Sequence, residues 1–182
     1  MEDQNSAQQN KNSAQQNPTA SQEPNGGAPV TDLRFEVFGF IARPVAEVYE
    51  AVADPAVLSE YFTTGGAVGR LETGATVQWD FADFPGAFPV TVLRAEPGEA
   101  ISLRWGAAPG TSVEADGTVV DFLFSSVDDG SRTKVVVREH AWKPTEDGAA
   151  AAFGNCMGWT GMLAAMKAWL EHGVRLRDGF YR

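Results

Sequence analysis

A run of short segments with period-two alternation of apolar and polar residues, each closed by turn-forming residues, constrains the fold most. The alternation predicts strands at residues 68–71, 76–81, 88–95, 101–105, 117–125 and 133–141. Turns are predicted at Pro85-Gly86 and Pro109-Gly110, and Asp128-Asp129-Gly130 is typical of a β-hairpin. Because strands joined by short turns pair antiparallel, an antiparallel sheet is expected.

Before these strands the periodicity changes. Residues 33–41 alternate as a first strand. Pro44 suits the first position of a helix, whose apolar residues recur at helical spacing until Asp54 and Pro55 end it. A second short helix is predicted from Pro55 to about Tyr61.

The C-terminal part contains a long stretch without charge, residues 148–166, about the length of a membrane span. At 100° per residue, however, one apolar stripe faces away from Lys167 and Glu171. The stripe consists of Trp159, Met162, Leu163, Met166 and Leu170. This pattern predicts an amphipathic helix that lies on a core, begins at residue 146 or 150, and ends at residue 172 before Gly173.

Together these elements predict an α+β fold. A twisted antiparallel sheet of about six to seven strands wraps around the long C-terminal helix, and two short helices follow the first strand. A straight helix and a curved sheet diverge at one end, so a cavity between them is expected.

The amino-acid composition of residues 1–30 differs from that of the rest of the chain. Residues 1–30 are mostly Gln, Asn, Ser, Ala, Pro and Gly, which predicts a disordered low-complexity leader, and residues 31–182 are predicted to form the folded domain. The leader lacks the apolar core of a signal peptide. With Cys156 the single cysteine, no internal disulfide is available, and we predict a cytoplasmic protein.

The net charge of −10 argues against nucleic acid and anionic membranes as partners. Two distant histidines and one cysteine offer no metal-ligand spacing, and no phosphate-binding or dinucleotide motif occurs, so no metal or cofactor is predicted. His140 is expected on the outward strand phase. His172 falls in the last helical turn, where it favours the helix dipole.

The inward strand phase and the helix stripe define the candidate ligand-binding residues. They are Trp79, Phe81, Trp105, Phe122, Phe124, Val137, Glu139, Trp159, Met162 and Met166. These side chains either line an apolar, aromatic cavity or fill a core.

Glu139 shares the strand phase of Val137, which aims a carboxylate inward. It is the candidate catalytic residue, because an inward carboxylate has a raised pKa and serves as a general acid or base, or anchors a ligand. The alternative is a carboxylate at the rim that is hydrated or paired with an arginine.

Three stretches resemble the START-like (SRPBCC), helix-grip superfamily, in particular its branch of heat-shock-protein ATPase activator homologues, often labelled polyketide cyclase-like. They read FEVFGFIARPVAEVYEAVADPAVLSEYF, GATVQWDFADFPGAFPVTVLRAEPGEAISLRW and GNCMGWTGMLAAMKAWLEHGVRLRDGFYR. The resemblance covers about residues 32–182, and its most distinctive part begins at Gly158-Trp159. It implies the helix-grip fold but no particular reaction.

The sequence is compatible with three functions. The first is binding of a small hydrophobic molecule between the last helix and the sheet. The second is a cyclase- or hydrolase-type enzyme that uses the same cavity with Glu139. The third is a protein-interaction module of chaperone-activator type, and a homodimer is also left open.

Deleting residues 1–28 should leave the thermal midpoint of unfolding nearly unchanged, because the leader has little apolar surface to bury. Scanning calorimetry of the full-length and truncated proteins tests this. A fall of more than about 4 °C would show that the leader docks on the domain.

Overall fold

The computed structural model describes residues 30–106 and 117–181. Residues 1–29 of the predicted leader and the predicted turn at Pro109-Gly110 lie outside these ranges. The strands are β1 (Leu33–Ile41), β2 (Gly66–Val68), β3 (Thr76–Phe81), β4 (Phe84–Glu96), β5 (Ala100–Trp105), β6 (Thr118–Val127) and β7 (Arg132–Trp142). The helices are α1 (Val45–Ala53), α2 (Pro55–Tyr61) and α3 (Glu146–His172).

All seven strands form one antiparallel sheet in the order β1-β7-β6-β5-β4-β3-β2. Strands β2 to β7 follow one another as a meander, whereas β1 pairs with the last strand, with Val37 opposite Val137. Helices α1 and α2 make the crossover from one edge to the other. The predicted α+β fold, with two short helices after the first strand, is confirmed.

Helix α3 begins where Thr145 Oγ1 accepts a hydrogen bond from the Gly148 N–H at 3.1 Å. It ends at Gly173, whose φ of 67° is the left-handed conformation typical of a helix C-terminus. The predicted stripe faces the sheet, since Trp159, Met162 and Met166 are at most 1% exposed. The Trp159 ring meets that of Phe122 on β6 at 5.4 Å between centroids.

Three local predictions were wrong. Pro44 precedes α1 instead of starting it: its ψ of 150° is extended, and its carbonyl accepts from the N–H groups of Glu47 and Val48. The short strand β2 ends at Val68, because Gly69 adopts a φ of +97° that turns the chain out of the sheet.

The third concerns the turn predicted at Pro85-Gly86 and the strand predicted to begin at residue 88. Phe81 pairs with Phe84, so β4 begins before the predicted turn at Pro85-Gly86. The N–H of Gly86 on β4 donates a hydrogen bond to Asp80 Oδ1 on β3 at 3.2 Å.

Replacing Leu163 by Ala should cost about 2–5 kcal/mol of unfolding free energy, because this side chain is 6% exposed against the sheet. Phe153 on the same helix is 73% exposed, so Phe153→Ala is the matched control and should cost under about 1 kcal/mol. Urea unfolding of both variants measures the difference. Equal losses would mean that the helix buries a different face.

Candidate functional site

The most unusual group in the core is the carboxylate of Glu139, which is 0% exposed on β7. Its Oε1 accepts hydrogen bonds from Trp105 Nε1 at 2.9 Å, Thr118 Oγ1 at 2.6 Å and Asn155 Nδ2 at 3.1 Å. Its Oε2 accepts from Trp159 Nε1 at 2.7 Å and Asn155 Nδ2 at 3.2 Å. Four donors from β5, β6 and α3 therefore converge on one buried carboxylate.

Sheet register and helix geometry bring these donors together. Trp105 lies opposite Thr118, and Val120 opposite Glu139, which puts three inward polar groups at one end of β5, β6 and β7. Asn155 and Trp159 are four residues apart on α3 and so share its inner face. Just after Glu139 the regular pairing of β1 and β7 breaks, with Ala141 at a φ of 66°.

Two opposing effects act on the pKa of Glu139. Burial raises the pKa of Glu139 above its usual range, and the hydrogen bonds from Thr118, Trp105, Trp159 and Asn155 oppose that rise, with a net increase. Indole and amide N–H groups only donate, so three of the four partners fit the ionised carboxylate. Thr118 can turn its hydroxyl, and Asn155 can turn its amide, to accept from the protonated form.

Beside this cluster lies a cavity of about 370 Å³. It is bounded by α3, by the ends of α2, β3 and β5, by the start of β4, and by the segment after α3. Its lining consists of Phe62, Phe81, Phe84, Trp105, Gly154, Asn155, Met157, Gly158, Trp159, Arg177 and Tyr181. The surface of this pocket is mostly aromatic.

The pocket walls are fixed by ring contacts as well as by hydrogen bonds. Trp159, Phe62, Phe81, Phe88 and Trp105 form a closed circuit, in which each ring lies 5.0–5.9 Å from the next between centroids. Stacked, tilted and edge-to-face pairs at such distances are stabilising beyond the area they bury. Because Glu139 also anchors both indoles, the pocket is formed before any ligand arrives.

The predicted site residues divide into two groups. Phe81, Trp105 and Trp159 line the pocket, and Glu139 lies behind its wall. The others are buried in the core and do not line the pocket: Trp79, Phe122, Phe124, Val137, Met162 and Met166. The strand phase and the helix stripe were right about which side of each element faces inward, but they do not tell which end of the sheet stays open.

Sequence reasoning missed several polar groups of the site. Thr118 and Asn155 had detectable signals, since Thr118 shares the strand phase of Val120 and Asn155 lies one helical turn before Trp159. Arg177 and Tyr181 had none, because the segment after Gly173 follows no regular period.

The segment after α3 closes one side of the pocket with a buried ion pair. Arg177 is 5% exposed and its Nη1 lies 3.3 Å from Asp83 Oδ2. Its guanidinium also lies over two rings, with Cζ 4.6 Å from the centroid of Tyr181 and 5.9 Å from that of Phe81.

The remaining candidate residues lie apart from this site. His140 faces outward and its Nε2 lies 3.2 Å from Asp121 Oδ2, while the side chain of His172 is 69% exposed. Within residues 30–106 and 117–181, no group of three or more His, Cys, Asp or Glu side chains is arranged to hold a metal ion. No helix in these ranges is long and apolar enough to span a membrane.

A family model described as Activator of Hsp90 ATPase homolog 1-like protein matches residues 42–171, more than half of the chain. The chain belongs to this family, and the resemblance to the START-like, helix-grip superfamily is confirmed. No curated protein is a significant match.

Solved structures share the fold. The protein SSP2350 from Staphylococcus saprophyticus is 23% identical with a TM-score of 0.66, covering 80% of this chain and 96% of its own. The Aha1 dimer from Colwellia psychrerythraea is 20% identical with a TM-score of 0.62, covering 78% and 98%. CalU16 from Micromonospora echinospora is 18% identical with a TM-score of 0.59, covering 81% and 80%.

The raised pKa of Glu139 predicts a specific pH dependence of stability. Because the folded protein holds this proton more tightly than the unfolded chain, stability is lost as pH rises from the unfolded pKa through the folded one. Glu139→Gln cannot titrate. The free energy of unfolding of the natural protein minus that of Glu139→Gln should therefore fall with increasing pH above the usual glutamate pKa.

Urea unfolding of both proteins across that pH range measures this difference. A difference that stays flat or increases with pH would contradict the assignment.

Proposed function

We propose that this protein binds a small hydrophobic, ring-containing molecule in the pocket between α3 and the sheet. The observation that carries the proposal is the preformed aromatic cavity of about 370 Å³, a size typical of small-molecule sites. Its indole walls are held by Glu139, so ligand binding does not have to order them.

The position of Glu139 favours binding over catalysis in this proposal. Both carboxylate oxygens already accept hydrogen bonds from protein donors, and Trp105, Asn155 and Trp159 stand between them and the pocket. A general acid or base has to reach the reacting atom. Glu139 instead acts as a positioning residue, so the cyclase- or hydrolase-type alternative has less support.

Family membership supports a second candidate, an interaction with a chaperone ATPase such as Hsp90. The outer face of the edge strand β1 offers a surface for it, with Phe38 59% exposed and Phe40 36% exposed. The double variant Phe38→Ser/Phe40→Ser should then abolish stimulation of Hsp90 ATPase activity. If the natural protein gives no stimulation, this candidate fails.

Two finer expectations belong with these candidates. The dimeric Aha1 neighbour supports a homodimer for this chain, and light scattering measures it. A cytoplasmic location remains a prediction from the single cysteine.

Ligand binding is tested with tetralin, an apolar bicyclic probe, and the indole N–H resonances of the tryptophans. Trp105 and Trp159 line the pocket, so their resonances should shift saturably. Gly158 also lines it, and a side chain placed there meets no atom within 4 Å. Gly158→Leu should fill the space and weaken binding by about tenfold or more.

Ala164→Leu is the matched control, because Ala164 is exposed on the same helix and is not part of the pocket lining. It should bind tetralin like the natural protein. Absence of any saturable shift, or equal affinity in Gly158→Leu, would refute the proposal.

A further inference from the structure

The pocket has a polar end whose donors lack acceptors. Arg177 lines the pocket at 5% exposure, and its Nε and Nη1 are buried without a hydrogen-bond acceptor among the described residues. Asp83 Oδ2 balances the charge at 3.3 Å but accepts no hydrogen bond from the guanidinium. The hydroxyl of Tyr181, also in the lining, is likewise buried without a partner in this part of the chain.

Buried donors without acceptors are costly, so a cluster of them in the wall of a pocket points to an acceptor that arrives with a ligand. The donors share one end of the pocket, since the Arg177 guanidinium lies 4.6 Å from the centre of the Tyr181 ring.

The charges around the pocket favour an uncharged acceptor over an anionic one. The charge of Arg177 is already balanced by the buried carboxylate of Asp83. An anionic ligand would add a negative charge near the Asp83 carboxylate, in a protein whose net charge is −10. A neutral oxygen accepts the same hydrogen bonds without that repulsion.

Building on the proposed binding function, we propose that the ligand is an uncharged ring-containing molecule with a carbonyl oxygen. Arg177 and Tyr181 donate hydrogen bonds to this oxygen at one end of the pocket. The ring system contacts the indoles of Trp105 and Trp159 at the other. The pocket thus selects for one polar atom on an otherwise apolar molecule.

Three probes of similar shape test this: tetralin without an acceptor, 1-tetralone with a ketone, and the anion of tetralin-1-carboxylic acid. Calorimetric titration should give an affinity for 1-tetralone about tenfold or more above that for tetralin, with the carboxylate weaker than the ketone. Tyr181→Phe keeps the ring and removes only the donor. It should reduce the preference for the ketone over tetralin, whereas Ala164→Leu, which lies outside the pocket lining, should keep that preference.

Arg177→Met combined with Asp83→Asn removes the guanidinium without stranding a buried carboxylate, and should abolish most of the ketone preference. If this variant does not fold, the carbonyl assignment is still tested by Tyr181→Phe and by the three probes on the natural protein. Equal affinities for tetralin and 1-tetralone would overturn the carbonyl assignment and leave the apolar pocket standing. Tighter binding of the carboxylate than of 1-tetralone would contradict the proposal that the acceptor is uncharged. Failure of all three probes would overturn both proposals.

Discussion

The site depends on one buried carboxylate. Among residues 30–106 and 117–181, Glu139 has no cationic partner; its two oxygens are satisfied by two indole N–H groups, an amide and a hydroxyl. Removing a carboxylate from water is expensive, and only a nearly complete set of donors makes it tolerable. In return, the carboxylate fixes Trp105 on the sheet to Trp159 on the helix, and these two side chains form the wall of the pocket.

The same constraint explains how the core divides. Further along α3, Met162 and Met166 fill the space between helix and sheet and are 0% exposed. Towards the N-terminal half of the helix, Gly154 and Gly158 replace bulky side chains and the space stays open. One helix therefore seals the core with its large residues and leaves a cavity beside its small ones.

Most of the fold could be predicted from the sequence, because strand alternation and the stripe on α3 report directly which face is buried. Local errors arose where one residue overrides the pattern, as Gly69 does in ending β2. The inward aim of Glu139 followed from its phase with Val137. Its partners did not, because they depend on register across β5, β6 and β7 and on where α3 sits. Arg177 lies in a segment without periodicity, so only the folded chain shows it at the pocket.

The central claim is that Glu139 holds the two indoles in place, and solvent exchange of the indole N–H protons measures this most directly. Trp79 is an internal reference, because its Nε1 is buried without an acceptor among the described residues. In Glu139→Leu, exchange at Trp105 and Trp159 should become faster while that at Trp79 stays unchanged. Unchanged exchange at Trp105 and Trp159 in this variant would contradict the claim.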